Sequence, residues 1–253
     1  MPIYEKPTKA LMQEFAKENL VPGKLFSKKE AIAFAKHYPK LRPTTIDMHV
    51  NGMSVNNRVR KHHRSIKPGS GYDLFYKVGP DQFRLWDAQR DEAPFYASSL
   101  QASTEGAEAP SEYDEDGENL SDVGSSEFAL EADLRNYICR NPVVIETGLK
   151  LYEEEGITGI EFPADGRRID VLCVDREGSF VVIELKVSRG YDRVVGQILR
   201  YMAWVKQHLA NGSRVRGIII ASEISDDLRL AASLIQDVSL IEYEISFQLK
   251  RVS

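Results

Sequence analysis

The stretch "GRRIDVLCVDREGSFVVIELKVSRG", Gly166 to Gly190, decides how the rest of the chain is read. Alternating apolar positions and β-branched residues make Ile169–Val174 and Phe180–Leu185 two strands. The turn cluster "DREGS" between them joins the pair as a hairpin. Three charges interrupt the pattern: Asp170, Glu184 and Lys186. A hairpin built only to fill a core has no use for them. Side chains alternate along a strand, so Glu184 and Lys186 point to one face, and Asp170 can join them from the neighbouring strand. The expected result is two carboxylates and an amine on one small patch.

Two carboxylates at one point repel, and a divalent cation lets both stay ionised. Hard oxygen ligands with remaining sites left to water suit Mg²⁺ or Mn²⁺ rather than Zn²⁺. A neighbouring lysine stabilises charge on a phosphoryl oxygen or orients a water. Together these parts describe metal-assisted phosphodiester hydrolysis. An isolated E-x-K on a strand is more often an exposed ion pair, so the reading leans on its surroundings. Glu131 stands on the helix before the hairpin, and Gln197 and Tyr201 share a face of the helix after it.

Outward from the hairpin, "EFALEADLRNYICRNP" is a helix ending at Asn141-Pro142. "YDRVVGQILRYMAWVKQHLANG" is a long amphipathic helix stopped by Asn211-Gly212. "RVRGIIIA" is a strand, and "SDDLRLAASLI" is a helix capped by Ser225 with acids in its first turn. "SLIEYEI" and "FQLKRV" are the final strands. The order predicts a mixed sheet flanked by helices.

The set "GRRID…VVIELK…GQILRY" resembles the PD-(D/E)XK nuclease core, and in particular the C-terminal domain of the mismatch endonuclease family called NucS or EndoMS. The resemblance covers about the last half of the chain and implies a restriction-endonuclease-like α/β fold. It implies that Asp170 and Glu184 bind the metal and that Lys186 assists the attacking water. Glu131 would be the helix acid, with Gln197 and Tyr201 supporting the site. Ile169 replaces the proline of the superfamily name, and the segment before Asp170 is longer than in that family.

Net charge separates three regions that the whole-chain value of -5 conceals. Residues 1–90 hold 17 Lys/Arg against 8 Asp/Glu and four of the five histidines, whereas residues 91–127 hold 11 acids and no base. The acidic segment is rich in Ser and Gly and reads as a flexible linker, leaving a nuclease domain over residues 128–253. Within 1–90, Ser27 and Glu30 form a capping box and Pro43-Thr44-Thr45 opens a third helix. Two short strands around Gly79-Pro80-Asp81 follow, and three helices then a hairpin is the order of a winged helix. The segment resembles the winged-helix modules of restriction enzymes, including the HARE-type group. The basic cluster Arg58, Arg60, Lys61, His62, His63, Arg64 and Lys67 would meet phosphates, and Thr44, Thr45, Met48 and His49 would lie where base edges are read.

Cys139 and Cys173 have no metal-ligand spacing and read as buried thiols of a reducing compartment, so the cytoplasm is the expected address. No apolar run is long enough to cross a bilayer, and no Gly-rich phosphate loop calls for a nucleotide cofactor. The expected partner is DNA, with a homodimer required for double-strand cleavage. The expected function is a Mg²⁺- or Mn²⁺-dependent DNA endonuclease of restriction or phage defence. The alternatives are a mismatch- or structure-specific repair nuclease, and a non-catalytic DNA-binding regulator.

Overall fold

A computed structural model describes residues 4–96, 125–164, 167–186 and 193–245. Most of the acidic segment and the final expected strand, residues 247–252, lie outside the described residues. The chain divides into two compact units, one of Met1–Ala109 with Glu153–Thr158, the other of Pro110–Tyr152 with Gly159–Ser253. The six-residue piece Glu153–Thr158, which the sequence reading left with the C-terminal domain, thus belongs to the first unit.

The first unit opens with three helices, α1 (Thr8–Asn19), α2 (Lys28–Phe34) and α3 (Pro43–Met53). The Glu30 carboxylate accepts from the Ser27 backbone N–H at 2.7 Å, which fixes the start of α2. Two antiparallel strands follow, β1 (Phe75–Gly79) and β2 (Gln82–Leu85). Phe15, Phe26, Phe34, Phe75 and Phe83 pack ring against ring at centroid distances of 4.8 to 5.6 Å, welding α1 and α2 to the hairpin. Their offset and tilted arrangement is the one that ring quadrupoles favour.

The same unit is completed by a second small hairpin, β4 (Glu153–Glu154) and β5 (Ile157–Thr158). Its two-residue turn, Glu155-Gly156, has φ of 49° and 95°, the doubly left-handed turn whose twist matches that of the strands. The hairpin is anchored through its acids. Buried Glu154 accepts from Thr45 Oγ1 at 3.0 Å and from the Tyr4 hydroxyl, with the Arg42 guanidinium 3.5 Å away. Burial and the Glu154 carboxylate push the Tyr4 phenol up to about 12. Pro7 offers no side-chain acceptor at the start of α1, and the helix has no acid in its first turn. Both Glu155 carboxylate oxygens take that place, accepting from Thr8 N at 3.2 and 3.3 Å.

The second unit is a mixed sheet in the order β10-β9-β8-β7-β3, with β6 also paired to β7. Its members are β3 (Lys150–Leu151), β6 (Ile160–Ala164), β7 (Arg167–Val174), β8 (Phe180–Lys186), β9 (Val215–Ala221) and β10 (Val238–Glu242). The β7–β8 hairpin is antiparallel, whereas β8–β9 and β9–β10 are parallel. Parallel neighbours need crossovers, and α5 (Val194–His208) and α6 (Asp226–Ser233) supply them. Strand β8 is buried at every position but its last, as a central strand covered on both faces should be. Helix α4 (Ser125–Arg140) brings Ile138 against Val171, Val181, Ile183 and Ile218. On α5, Ile198 and Met202 lie over Gly217 of β9. Any side chain at Gly217 would put its first carbon 2.8 Å from both of them, so glycine sets how closely the helix approaches.

Strands β3 to β6 are absent from the sequence reading. The chain leaves the second unit after Tyr152 and returns at Gly159, and a Gly159 N–H to Tyr152 O bond of 2.8 Å closes the excursion. A Cβ at Gly159 would sit 2.0 Å from the Leu172 carbonyl oxygen, so the crossing of the two strands requires glycine.

Candidate active site

The candidate site forms where the β7–β8 ladder stops. The last registered pair is Val171 with Ile183, and continuing the register sets Asp170 opposite Glu184. There the backbone pairing gives way to a side chain, because Asp170 Oδ2 accepts from Leu185 N–H at 2.8 Å. Two residues past Glu184 on the same face, Lys186 Nζ stands 3.0 Å from Glu184 Oε1. Glu184 is 1% exposed and its second oxygen, Oε2, is buried with no hydrogen-bond donor among the described residues. A buried carboxylate oxygen without a donor costs free energy, which a bound cation or a proton would offset.

The electrostatics of the four charged groups are shared. Burial raises the pKa of Glu184, and the Asp170 charge raises it further. Burial also raises Asp170, against the opposing pull of Lys186 and the Leu185 N–H. Glu131, reaching in from α4, is pushed up to about 7 by burial and by Asp170. Burial alone would lower Lys186, but Glu184, Asp170 and Glu131 outweigh it and hold the ammonium firmly protonated. The surplus of carboxylate over amine is what a divalent cation would neutralise. Asp170 and Glu184 are the residues that could hold one. Among the described residues no three His, Cys, Asp or Glu side chains gather closely enough to form a closed cage. Mg²⁺ suits such an open arrangement, since it retains water and takes one or two carboxylates plus phosphate oxygens.

The structure therefore brings Glu131, Asp170, Glu184 and Lys186 together. Gln197 and Tyr201 lie one turn apart on α5, half-buried and buried, and Gln197 has no hydrogen bond to any of the four. Two residues that the sequence reading missed stand beside the cluster. Arg135, one turn after Glu131 on α4, pairs with Glu161 at 2.8 Å, and both act on the charges of Asp170 and Glu131. Glu161 also pairs with Arg168 at 3.5 Å and has a left-handed backbone, φ 43°. The spacing from Glu131 to Arg135 was a legible signal; nothing in the sequence marked Glu161.

The expected DNA-contacting residues separate into two groups. Thr45, Met48, His49, Arg60 and His63 are buried. Thr45 and His49 lie on the inward face of α3, and Arg60 is tied to Asp73 with its guanidinium over Tyr96. None of these buried groups is open to a phosphate or a base edge, which corrects the expectation for them. Arg58, Arg64 and Lys67 are exposed, while Thr44, Lys61 and His62 are half-buried. Of the exposed three, Arg64 is held by Glu153 at 2.6 Å.

Residues 130–246 match the family described as "Endonuclease NucS C-terminal domain", and residues 7–85 match a "Domain of unknown function (DUF7669)". Endonuclease NucS of Pyrococcus furiosus is 40% identical over 114 residues, 44% of this chain and 37% of that protein. Endonuclease NucS of Sulfolobus acidocaldarius is 32% identical over 132 residues, 51% of this chain and 48% of that protein. The crystal structure of a repair endonuclease from Pyrococcus abyssi aligns with 31% identity over 45% of this chain and 46% of that one, with a TM-score of 0.39. The chain thus spans less than half the length of these relatives. The C-terminal unit is NucS-like, and all four clustered residues fall inside its match.

Among the described residues no helix is long and apolar enough to cross a membrane.

Proposed function

We propose that the chain is a metal-dependent DNA endonuclease whose substrate is a mismatched or structurally irregular duplex. The observation that carries the chemistry is the pairing of Asp170 with Glu184 at the ladder's end, with Lys186 at 3.0 Å and Glu184 Oε2 buried without a donor among the described residues. Mg²⁺ or Mn²⁺ held by Asp170 and Glu184 would supply Lewis-acid charge to the scissile phosphate. Lys186, kept protonated by its three carboxylate neighbours, donates from Nζ to a phosphoryl oxygen and is no base in this state. Glu131, the third carboxylate of the cluster, would be the group placed to accept a proton from the attacking water. Arg135 pairs with Glu161 beside the cluster and offsets part of its negative charge.

The NucS relatives favour a repair substrate over the restriction or phage-defence role. The exposed bases of the first unit supply salt-sensitive phosphate contact, and cutting both strands calls for a homodimer on the DNA. The test is cleavage of plain, mismatched, branched and modified duplexes with Mg²⁺ or Mn²⁺, beside Glu184→Ala and Lys186→Ala. Cutting of mismatched or branched DNA that both variants lose supports the proposal. Preference for a fixed sequence or a modification would return the defence reading. Tight binding without cutting on any substrate would favour a non-catalytic regulator.

A further inference from the structure

Strand register places a further acid beside the two at the ladder's end. Ile160 pairs with Val171 and Phe162 with Ile169, and interpolating that register sets Glu161 of β6 opposite Asp170. Glu184 lies opposite Asp170 on the other side. Three adjacent strands, spaced about 4.8 Å apart, thus contribute one carboxylate each to a single row across the sheet. Glu131 approaches the same row from α4, and the Glu161 charge raises the pKa of both Asp170 and Glu131. Carboxylates so disposed repel one another, and a divalent ion at Asp170 and Glu184 leaves the Glu161 end of the row unanswered.

Arg135 answers it. Its Nη2 stands 2.8 Å from Glu161 Oε1, and its charge pulls against the upward shifts of Asp170 and Glu131. Among the described residues its Nε–H is buried with no acceptor. A guanidinium one donor short in a buried place is held there by charge rather than by a complete set of hydrogen bonds. Arginine also stays protonated at any working pH, so this positive charge is permanent. Arg168 meets the other oxygen of Glu161 at 3.5 Å, but its side chain is 44% exposed and water screens it. The formal charges then balance for one ion. Four carboxylates, Glu131, Asp170, Glu161 and Glu184, face two largely buried cations, Lys186 and Arg135, and a single divalent ion neutralises the remainder.

We propose that Arg135 is a positioning residue that takes the place of a second metal ion, so that the site holds one divalent cation and not a pair. In two-metal sites a second ion about 3.5 to 4 Å from the first shares the work of clamping the reacting oxygens. Here the guanidinium fills the Glu161 side of the row instead. Glu131, Asp170 and Glu161 are half-buried rather than sealed, so an ion can reach them once the guanidinium is gone. The inference rests on the metal-dependent reading above and adds how many ions the site takes and which side chain fixes that number.

The test counts Mn²⁺ bound to the full chain without DNA, from the electron paramagnetic resonance signal of the free ion. The wild type is expected to hold one ion per chain. Arg135→Gln removes the charge and keeps an amide donor for Glu161; it is expected to hold two ions, the first at least about fivefold more tightly than the wild type does. Arg135→Lys keeps the charge and should return the count to one. Arg135→Gln combined with Glu161→Gln should also hold one, because the acid that the second ion needs is gone. A residue that only braced the fold would not raise ion uptake on removal, nor be offset by neutralising its partner. Glu161→Gln alone leaves Arg135 in place and should weaken the single ion about fivefold or more, an arm that stands even if Arg135→Gln fails to fold. The proposal is overturned by no ion or two ions on the wild type, one on Arg135→Gln, two on Arg135→Lys, or unchanged affinity in Glu161→Gln. Cleavage judges the nuclease reading separately: a wrong ion count with metal-dependent cutting leaves that reading standing, and the expected counts without cutting on any duplex sink it alone.

Discussion

Acid should unfold the first unit through a histidine that cannot take up its proton. His63 is 6% exposed, and its Nδ1 accepts from the Ser65 N–H at 3.3 Å. Burial, reinforced by His49, lowers its pKa from 6.5 to about 3. A group whose folded pKa lies below its unfolded one is protonated first in the unfolded chain, so stability falls as pH drops below 6.5 and goes on falling until about 3. Between pH 7 and 5 this linkage amounts to about 2 kcal/mol for His63 alone. His63→Asn keeps an acceptor near the Nδ1 position and removes the titration. The chain has two tryptophans, Trp86 in the first unit and Trp204 in the second, so urea unfolding followed by fluorescence in a Trp204→Phe background reports on the first unit. Whatever the variant costs at pH 7, its stability should fall by about 2 kcal/mol less than that of the parent on going to pH 5. Parallel pH curves for parent and variant would refute the reasoning, because they would mean that His63 is free to protonate in the folded state.

Glu154→Ala should strip Tyr4, Thr45 and Arg42 of a buried partner and cost the first unit about 2 to 4 kcal/mol, read by the same urea assay. Gly159→Ala should destabilise the second unit by about 3 kcal/mol or more, since the new methyl would overlap the Leu172 carbonyl; circular dichroism on heating measures it. Ser225→Ala removes the side-chain acceptor for Leu228 N–H and should cost about 1 kcal/mol at α6. Mg²⁺ or Mn²⁺ at tenfold above its dissociation constant should stabilise the wild type by about 1.4 kcal/mol, visible as a raised melting midpoint, and should leave Asp170→Ala unmoved.

The second unit was legible where periodicity and punctuation agree. The alternation in Ile169–Val174, the Ser225 cap and the Asn211-Gly212 stop each carry a local physical signal, and each marks an element of the fold. The paired carboxylates were legible for the same reason, since a charge at a core position of a strand has few explanations. Strands β3, β4 and β5 were hidden because two-residue strands have no period to detect and "LYEEEGITGIEF" is acidic where strands are usually apolar, and the five-residue β6 because Pro163 breaks its pattern. The misplacement of Thr45 and His49 has a longer-range cause. Their polarity suggests an outward face on α3, but the partner that makes burial tolerable, Glu154, stands 109 residues beyond Thr45. No local pattern announces such a partner.

The small hairpin Glu153–Thr158 also limits how this protein can be taken apart or inherited. Its N-terminal module is not a contiguous stretch of gene. A fragment stopped at the acidic segment lacks the carboxylates that hold Tyr4, Thr45 and the first turn of α1, and a NucS-like domain moved alone would carry two strands with nothing to complete. Recombination that exchanges only the front half would leave both parents' pieces mismatched. Within this chain, substitutions at Thr45 or Tyr4 are therefore expected to be answered at Glu154.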